Sequence, residues 1–340
     1  MNELRAILAD SVARLLTDLV TPELLQAAEE DGGWPAALWE ALDAGGLTRA
    51  LLPEDRGGAG GSWGDAQVVL RAAGRFAAPV PLGETILAGW LLGDAGLDVP
   101  DGPLTIAPGD TLVVDGARAS GTVTAVPWGR DASHLVAPAT DGRIVLVSTS
   151  DARVVADRNL AREPRDTLTF TSAPAATATV PLAADTLWRL GALLRAAQMA
   201  GALDALLART VRYANERIQF GKPIGRFQAI QHTLAVLAEH TAAAGVAVEV
   251  AFRALERGDA TVEIAAAKVR AGEAADAGAA IAHQVHGAIG FTYEHTLHFT
   301  TRRLWAWRGE FGGESHWAAV LGREAAARGG SGLWPWVTQR

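Results

Sequence analysis

The chain changes character twice along its length, and the order of these changes is the feature that most restricts its fold. In residues 1 to about 98, apolar residues recur at spacings of three and four, which predicts short helices. From about residue 100, short β-branched runs separated by Gly, Asp and Pro predict a small antiparallel β-domain. After Pro181 the helical period returns in longer segments, as in a helical bundle. Few architectures combine these blocks in this order.

These patterns predict an α+β, mostly α protein with four parts. We expect an N-terminal helical domain over 1–98, a reduced β-domain over 99–182, a four-helix bundle over 183–328 and a tail over 329–340. The tail contains Trp334 and Trp336, which are available to dock on a partner or on the chain's own core. The predicted helices are Leu4–Val20, Pro22–Glu30, Pro35–Asp43, Asp65–Ala77, Pro81–Leu92, Ala183–Glu216, Phe227–Glu256, Asp259–His286 and Thr296–Arg328. The predicted strands are 111–116, 122–128, 134–139 and 144–149.

Composition excludes several classes of function. The 30 basic residues are outnumbered by 38 acidic ones and are scattered, so we expect no nucleic-acid surface. The absence of cysteine excludes disulfides, Fe–S clusters, thiolate zinc sites and a Cys nucleophile. The N-terminus has charges inside its apolar run, unlike a signal peptide. The most apolar stretch, 187–207, is interrupted by Arg189, Arg195 and Asp204, which predicts no membrane span and a cytoplasmic protein.

Two local patterns have both a catalytic and a structural interpretation. GGSWG matches the G-x-S-x-G motif of hydrolases, with Ser62 as nucleophile, but no strand precedes it. Ser62 followed by Asp65 instead predicts a helix N-cap, and a hydrolase remains the remote alternative. His283 and His286 share a helical face, but no carboxylate lies at a useful spacing. A packed pair is therefore favoured over a metal site, and we expect no metal.

Two glycine-containing corners interrupt the C-terminal helices. RYANERIQFGKPIGRFQAIQ places Arg217 three residues before Phe220 and Gly221, and QVHGAIGF ends the third long helix. Alone, the first corner fits an exposed charge beside an apolar plug. An Arg beside an open glycine backbone also provides what a pyrophosphate requires, a planar multi-donor cation and approachable amides. Two such corners in one bundle favour an extended, phosphate-bearing ligand.

Both corners together resemble the acyl-CoA dehydrogenase family, whose motifs are R-x-x-F-G-x-x-I-x-x-x-Q and Q-x-x-G-G-x-G-F. The upstream segment PEDRGGAGG is similar to that family's P-E-x-x-G-G-x-G turn. The resemblance implies a β-domain held between an N-terminal helical domain and a C-terminal four-helix domain. It also implies FAD as cofactor, an acyl-CoA substrate that is α,β-desaturated, and an electron-transfer flavoprotein as electron acceptor.

In that family, both corners reach across a dimer interface to the adenine and pyrophosphate end of a neighbour's FAD. The resemblance implies that Arg217 pairs with pyrophosphate, that Phe220 packs by the ribityl or adenine part, and that Gln228 lies on the same face. It implies that Gln284, Gly287 and Ala288 form the second corner, with Ala288 in place of the usual glycine.

The chain departs from the family where the flavin ring and the catalytic base are expected. The family's W-I-T-N positions are Ala125 to Trp128, and Pro127 has neither a hydroxyl nor an N–H for flavin N5. The two positions for the catalytic glutamate are Phe311 and Gly191. Glu310 is one residue away and is a weak candidate base, because neighbouring helical residues point about 100° apart.

These departures resemble the short subunits of heteromeric α2β2 acyl-CoA dehydrogenases of steroid catabolism. There, one subunit supplies the flavin pocket and the glutamate, and the other completes the FAD site. We therefore expect a homologous full-length partner subunit. The alternatives are a self-associating complete enzyme that uses Glu310 or another base, and a non-redox acyl-CoA-binding protein on this fold.

Overall fold

The structure, a computed structural model, describes residues 3–30, 32–107, 109, 112–180, 183 and 185–338. The predicted domain limit at residue 182, the start of the predicted strand at 111 and the last two residues of the predicted tail lie outside this part. The N-terminal region contains five α-helices in its described residues, each within two residues of a predicted one. They are α1 (Glu3–Leu19), α2 (Pro22–Glu30), α3 (Ala36–Ala44), α4 (Trp63–Phe76) and α5 (Leu82–Asp94).

The start of α4 is a capping box and is not preceded by a strand. The Ser62 hydroxyl accepts from the Asp65 amide, while the Asp65 carboxylate accepts from the Ser62 amide at 2.8 Å. Arg5 donates to both side chains, at 2.9 Å to Ser62 and 3.0 Å to Asp65. The predicted helix N-cap is therefore confirmed, and Ser62 serves to hold α1 against α4.

The middle region forms one seven-stranded sheet. Its strands are β1 (Leu104–Ile106), β2 (Val113–Asp115), β3 (Arg118–Pro127), β4 (His134–Pro138), β5 (Ile144–Ser148), β6 (Ala152–Val155) and β7 (Arg165–Ala178). The order is β1-β4-β5-β7-β3-β2, with β6 also paired to β7. The expectation of a purely antiparallel sheet was wrong in one pair, because β1 runs parallel to β4.

The longest strand, β7, was not predicted, and neither were β1 and β6. The first part of β7 pairs with β3 and β6, and its last four residues pair with β5. Leu168 and Phe170 on β7 are buried in an apolar cluster with Leu135 and Val145. The sheet is therefore organised around a strand whose alanine-rich second half and Pro174 hid its character.

The C-terminal region consists of five helices in its described residues. They are α6 (Thr186–Glu216), α7 (Gln228–Leu255), α8 (Thr261–His286), α9 (Leu297–Gly309) and α10 (Glu314–Thr338), with a hairpin of β8 (Ile218–Gln219) and β9 (Lys222–Pro223) after α6. The predicted fourth helix, 296–328, is in fact divided into α9 and α10 by residues 310–313. Part of the predicted tail is helical, because α10 continues to Thr338 across a kink at Gly329.

Helix α6 is the central element of the bundle and packs closely on α4. A Cβ added at Gly74 would lie 2.0 Å from the Gln198 carbonyl oxygen, and one added at Gly201 would lie 1.8 Å from that of Arg71. The two helix backbones are thus in direct contact. This contact joins the N-terminal helices and the bundle into one continuous apolar core.

Within the described residues, two helices, α6 and α7, are long and apolar enough to span a membrane by length and composition alone. The most apolar window of α6 is 83% buried inside the protein, whereas that of α7 is 33% buried. Arg71 pairs with Asp204 of α6 at 2.7 Å, and Arg195 of α6 pairs with Glu84 at 2.6 Å. Of the charges that interrupt the apolar run of α6, Arg195 is therefore paired inside the core, and Asp204 is paired at its partly exposed edge.

Candidate functional site

The first corner is the turn that follows α6. The helix ends at Glu216, Arg217 adopts an extended conformation, and the chain reverses through the β8–β9 hairpin. Phe220 (φ 52°) and Gly221 (φ 77°) form the turn with left-handed backbones. The Phe220 side chain is 92% exposed, and nothing lies within 4 Å of a Cβ added at Gly221. The corner therefore presents an open backbone and an uncovered ring to the outside.

Arg217 and Gln228 are the polar side chains predicted for this corner. Both are exposed, and Gln228 is the first residue of α7. The Arg217 carbonyl accepts from Ile224 at 2.8 Å, which closes the hairpin, but no described residue pairs with its guanidinium. The Arg217 guanidinium therefore lies at the start of the hairpin, and its N–H donors are free of described partners.

The second corner is the turn that follows α8. Gly287 leaves the helix at φ 65°, and a 3₁₀ turn follows over Gly287–Phe291. Gln284, Gly287 and Ala288, the predicted residues of this corner, all line one cavity of about 470 Å³. Nothing lies within 4 Å of a Cβ added at Gly287. Phe291, also at this cavity, is 72% exposed.

Tyr213 connects the two corners and was missed by the sequence argument. It lies four residues before Arg217, and its hydroxyl donates to the His286 carbonyl at 3.2 Å. Its ring stacks on the His286 ring with centroids 4.3 Å apart. No direct hydrogen bond or ring contact joins the two sets of predicted residues in the described part of the chain. Their relative position depends on this stacked pair.

His283 and His286 are packed side chains, as predicted. His283 bonds Thr301 at 3.1 Å and stacks between Phe291 and Trp305. Burial lowers the pKa of both imidazoles, which keeps them neutral near pH 7. His283 also lines the second corner's cavity, and its buried Nδ1 has no partner in the described residues.

The corners fit the phosphate half of FAD in the chemistry of their donors. They offer a free guanidinium, two glycine backbones that approach without obstruction, the Gln284 amide and exposed rings. Phosphate oxygens prefer such multi-donor cations and open amides, and adenine prefers aromatic neighbours. Arg217, Phe220, Gln228, Gln284, Gly287 and Ala288 remain predictions as FAD contacts.

Residues 125–128, where the family holds the flavin ring, are engaged in the protein's own structure. Ala125 (φ 53°) and Trp128 (φ 55°) have left-handed backbones at the irregular end of β3. The Trp128 amide donates to the Pro164 carbonyl at 3.0 Å, and the Pro127 carbonyl accepts from the Thr105 hydroxyl. These groups are therefore unavailable to a flavin ring.

The two positions expected for a catalytic base face each other, and neither is acidic. Phe311 (φ 54°) follows α9, and its ring covers Gly191 of α6. A Cβ added at Gly191 would lie only 2.4 Å from Cδ1 of Phe311. Trp188 packs edge-on against the same ring, with centroids 6.0 Å apart. An aromatic plug thus fills the place where a carboxylate would act.

Hydrogen bonds fix the loop that carries this plug. The Trp317 indole donates to the Phe311 carbonyl at 2.9 Å. Lys268 donates to the carbonyls of Arg308 at 2.6 Å and Gly312 at 2.8 Å. Burial lowers the pKa of Lys268 to about 8, against the opposing effects of nearby carboxylates. The loop is therefore held by hydrogen bonds from α8 and from α10.

Glu310, the weak candidate base, lies in a buried ion cluster. Arg165 binds both of its carboxylate oxygens, at 2.8 and 3.0 Å, and Arg195 donates at 2.6 Å. Asn159 adds a bond of 2.9 Å, and Arg195 continues to Glu84 at 2.6 Å. The cluster joins β7, α5, α6 and the residue after α9.

This environment opposes a role for Glu310 as a general base. Burial alone would raise its pKa, but the charges of Arg165 and Arg195 outweigh that effect and lower the pKa to about 2. A general base works best with a pKa near the working pH, and one of its oxygens must be free to reach the substrate proton. Glu310 meets neither condition.

The ion cluster extends to α2 and α9 through a second group of buried charges. Glu163 accepts from Arg165 at 3.0 Å, lies 3.3 Å from Arg303, and accepts from the Trp307 indole at 2.9 Å. Arg303 also pairs with Glu29 of α2 at 2.6 Å. The N-terminal helices, the sheet and the bundle thus meet at one network of ions.

Comparison with known proteins identifies this architecture. Residues 2–97 match the acyl-CoA dehydrogenase N-terminal domain, and residues 183–309 match the acyl-CoA dehydrogenase C-terminal domain. The chain belongs to the acyl-CoA dehydrogenase family. Acyl-CoA dehydrogenases are oxidoreductases that act on acyl-CoA, and the predicted family and fold class are confirmed.

Relatives of this acyl-CoA dehydrogenase include one named as a steroid enzyme and one named as a complex. The chain is 33% identical over 308 residues to acyl-CoA dehydrogenase IpdE2 of Mycobacterium tuberculosis. The match covers 88% of this chain and 91% of IpdE2. It is 30% identical to a chain of the Tcur3481-Tcur3483 steroid ACAD G363A variant, with a TM-score of 0.86 over 96% of this chain and 99% of that one. It is 25% identical to a chain of the ChsE4-ChsE5 complex from Mycobacterium tuberculosis, with a TM-score of 0.87 over 96% and 98%.

Proposed function

We propose that this acyl-CoA dehydrogenase chain is the subunit that completes the FAD site of a homologous partner and does not supply the catalytic base. The partner would hold the flavin ring, the acyl-CoA thioester and the glutamate. This chain would bind the pyrophosphate and adenine end of the same FAD. The reaction of the assembled enzyme is the α,β-desaturation of an acyl-CoA.

The observation that carries this proposal is the Phe311 ring packed on Gly191. A base must lie within hydrogen-bond reach of the substrate proton. Here the two positions that could provide one are filled by a ring and a hydrogen atom. Glu310 is held by Arg165 and Arg195 on both carboxylate oxygens.

The second line of support is the contrast between the corners and the β-domain. The corners keep a free Arg217 guanidinium, open glycines at 221 and 287, and the exposed rings of Phe220 and Phe291. Large exposed rings are unusual on a surface that stays in water, and they indicate a surface that is covered in the assembled protein. At the flavin-ring position, by contrast, the Pro127 carbonyl and the Trp128 amide are used internally.

When bound, FAD would supply the acceptor for the β-hydride of the substrate. The residues of this chain would contribute binding alone. Arg217 would pair with the pyrophosphate, Phe220 would pack beside the ribityl or adenine part, and Gln228 would lie on the same face. Gln284 and the backbone at Gly287 and Ala288 would approach from the second corner, positioned by the Tyr213–His286 stack.

The relatives support a two-component assembly and a steroid-type acyl group. ChsE4-ChsE5 is a complex of two named components, and the Tcur3481-Tcur3483 protein is a steroid ACAD. The chain also matches 42% of the length of FadE34 of Mycobacterium tuberculosis at 35% identity, so that relative carries more than half of its length outside the match. We place the complex in the cytoplasm, with an electron-transfer flavoprotein as its oxidant.

Co-expression with a full-length acyl-CoA dehydrogenase encoded in the same genome tests the proposal. We expect this chain alone to be colourless and the complex to carry one FAD per two chains, measured by absorbance and native mass. Arg217→Gln should remove flavin from the complex and leave its mass unchanged. Arg257→Gln, at an exposed arginine beyond the far end of α7, is the matched control.

Other outcomes would favour the alternatives. A lone chain that is yellow, binds one FAD per chain and reduces an electron acceptor with acyl-CoA is a complete enzyme. A chain that binds acyl-CoA without flavin, alone and with every tested homologue, is a non-redox binding protein. In both cases the proposed role would be rejected.

A further inference from the structure

A second cavity, away from both corners, has features of a binding site. It has a volume of about 500 Å³ and lies between the α1–α2 turn, the end of α4, the C-terminal half of α6 and the start of α9. Cavities of a few hundred Å³ are large enough to enclose most of a small ligand. Its lining combines an apolar wall with a group of arginines.

Three arginines converge at this cavity: Arg75 at the end of α4, and Arg209 and Arg212 on α6. No described carboxylate lies within ion-pair distance of any of the three. Arg209 donates only through Nη1, at 2.8 Å to the Thr296 carbonyl and 3.4 Å to the Thr300 hydroxyl. Its remaining N–H donors have no partner in the described residues.

This arrangement is unusual for the chain. The arginines buried elsewhere, Arg165, Arg195 and Arg303, each pair with one or more carboxylates. Arg209 is half-buried, and burial together with the charge of Arg212 lowers its pKa below the usual value. Gathering cations without a counter-charge costs free energy, which a bound anion recovers.

Part of the cavity lining is apolar. Leu25, Ala77 and Phe299 form a small cluster separate from the main core, with Val20 packed against it. All four residues line the cavity. A ligand that lies here can therefore contact both hydrocarbon and guanidinium groups.

The cavity is on a different face of α6 from the FAD corner. Ala205, Ala208, Arg209 and Arg212 are spaced three and four residues apart and share one face. Arg217 lies beyond the end of α6 in an extended conformation and does not line the cavity. Tyr213, which faces His286, is about 100° from Arg212. None of the six predicted corner residues lines this cavity.

We propose that this cavity binds a small amphiphilic anion, which has a hydrocarbon body and a carboxylate or phosphate headgroup. The headgroup pairs with Arg209 and Arg212, with Arg75 at the rim. The hydroxyls of Thr296 and Thr300 lie beside it, and the apolar body packs on Val20, Leu25 and Phe299. Planar guanidinium groups bind both carboxylates and phosphates through paired hydrogen bonds.

Calorimetric titration of the full chain with four probes tests the proposal. Decanoate and decyl phosphate carry the apolar body and a headgroup, decanol carries the body alone, and inorganic phosphate carries the charge alone. We expect one of the two amphiphilic anions to bind at least about tenfold more tightly than decanol and phosphate. The preference between decanoate and decyl phosphate identifies the headgroup.

Variants locate the bound probe. Arg209→Gln and Arg212→Gln should each weaken binding about tenfold, whereas Arg153→Gln, at an exposed arginine of β6, should not. Ala208→Trp should block the cavity without removing a charge, and it covers the case in which Arg209→Gln fails to fold. Equal binding of decanol, binding that survives all three cavity variants, or no binding below about 1 mM overturns the proposal.

An effect on assembly would be a different result. If Arg209→Gln and Arg212→Gln changed the mass of the complex with a partner subunit and no probe bound, a partner carboxylate would occupy the cavity and the small-ligand proposal would be wrong. The flavin content of the complex is a separate measurement, so neither outcome affects the proposal for the FAD corners.

Discussion

The ring of Phe311 lies against the backbone of Gly191, at a distance that leaves no room for any side chain at position 191. The two residues come from different elements, the loop after α9 and the buried N-terminal part of α6. Their contact fills the two positions at which the family resemblance predicts a catalytic base.

Gly191→Ala should destabilise the protein by about 1–3 kcal/mol, because the new methyl group would overlap Cδ1 of Phe311. This loss would exceed the gain of up to about 1 kcal/mol that Ala normally brings to a helix. Urea unfolding measures the difference. Gly322→Ala on α10, where an added Cβ meets nothing within 4 Å, is the matched control and should be neutral or stabilising.

The same contact predicts the behaviour of a double variant. In a Phe311→Ala background the ring is gone, so Gly191→Ala should no longer cost stability and should become neutral or favourable. Equal costs of Gly191→Ala in both backgrounds would show that the ring and the glycine are not in contact.

Arg195→Met should destabilise the protein by about 3–5 kcal/mol, because Glu84 and Glu310 would lose their shared buried cation. Chemical denaturation followed by circular dichroism measures the change. Arg253→Met, which breaks an exposed pair with Glu249 on α7, should cost less than about 1 kcal/mol. Similar losses for the two variants would contradict a buried role for Arg195.

Glu310→Gln should make the free energy of unfolding less sensitive to a fall in pH. The pKa of Glu310 is about 2 in the folded protein and near 4.5 when unfolded, so its ionised form favours folding. This contribution, up to about 3 kcal/mol, is present above pH 4.5 and is lost as the pH falls from 4.5 towards 2. Urea midpoints across that range should fall less steeply for Glu310→Gln than for the wild type or for Glu249→Gln.

Tyr213→Phe should make the second corner open more often, while the ring at position 213 still stacks on His286. The variant removes the hydrogen bond to the His286 carbonyl, worth about 1 kcal/mol. Amide hydrogen exchange over Gly287–Phe291 should become faster. Tyr293→Phe is the control, because Tyr293 is exposed and its hydroxyl forms no hydrogen bond in the described part. Unchanged exchange in Tyr213→Phe would remove Tyr213 as the link between the corners.

Much of the fold follows from local sequence pattern. The helix periodicity of the N-terminal region and of α6, α7 and α8 is strong, since each buries one apolar face or more, and these limits were predicted to within a few residues. Strand β7 escaped prediction although Leu168 and Phe170 alternate with polar residues. Its second half is rich in alanine, contains Pro174 and has Thr177 as its one β-branched residue.

The candidate site was predictable only in part. The corners are continuous motifs, so Arg217, Phe220 and Gln284 could be predicted as site residues from the sequence and its resemblance to the family. The aromatic plug and the surroundings of Glu310 could not, because they depend on contacts between residues far apart in sequence. Only an indirect signal of the aromatic plug is present in the sequence. The two positions at which the family resemblance predicts an acidic residue are Phe311 and Gly191, and a large residue and a glycine can fill one space together.

Arg195 pairs with one carboxylate from the N-terminal helices and another from the segment after α9, and Arg165 of the sheet pairs with that second carboxylate. None of the three regions can therefore be exchanged with that of a catalytic relative in isolation. A chimaera therefore has to transfer Glu84, Arg165, Arg195 and Glu310 together. If only some of them were transferred, a buried charge would lose its partner where the three regions meet.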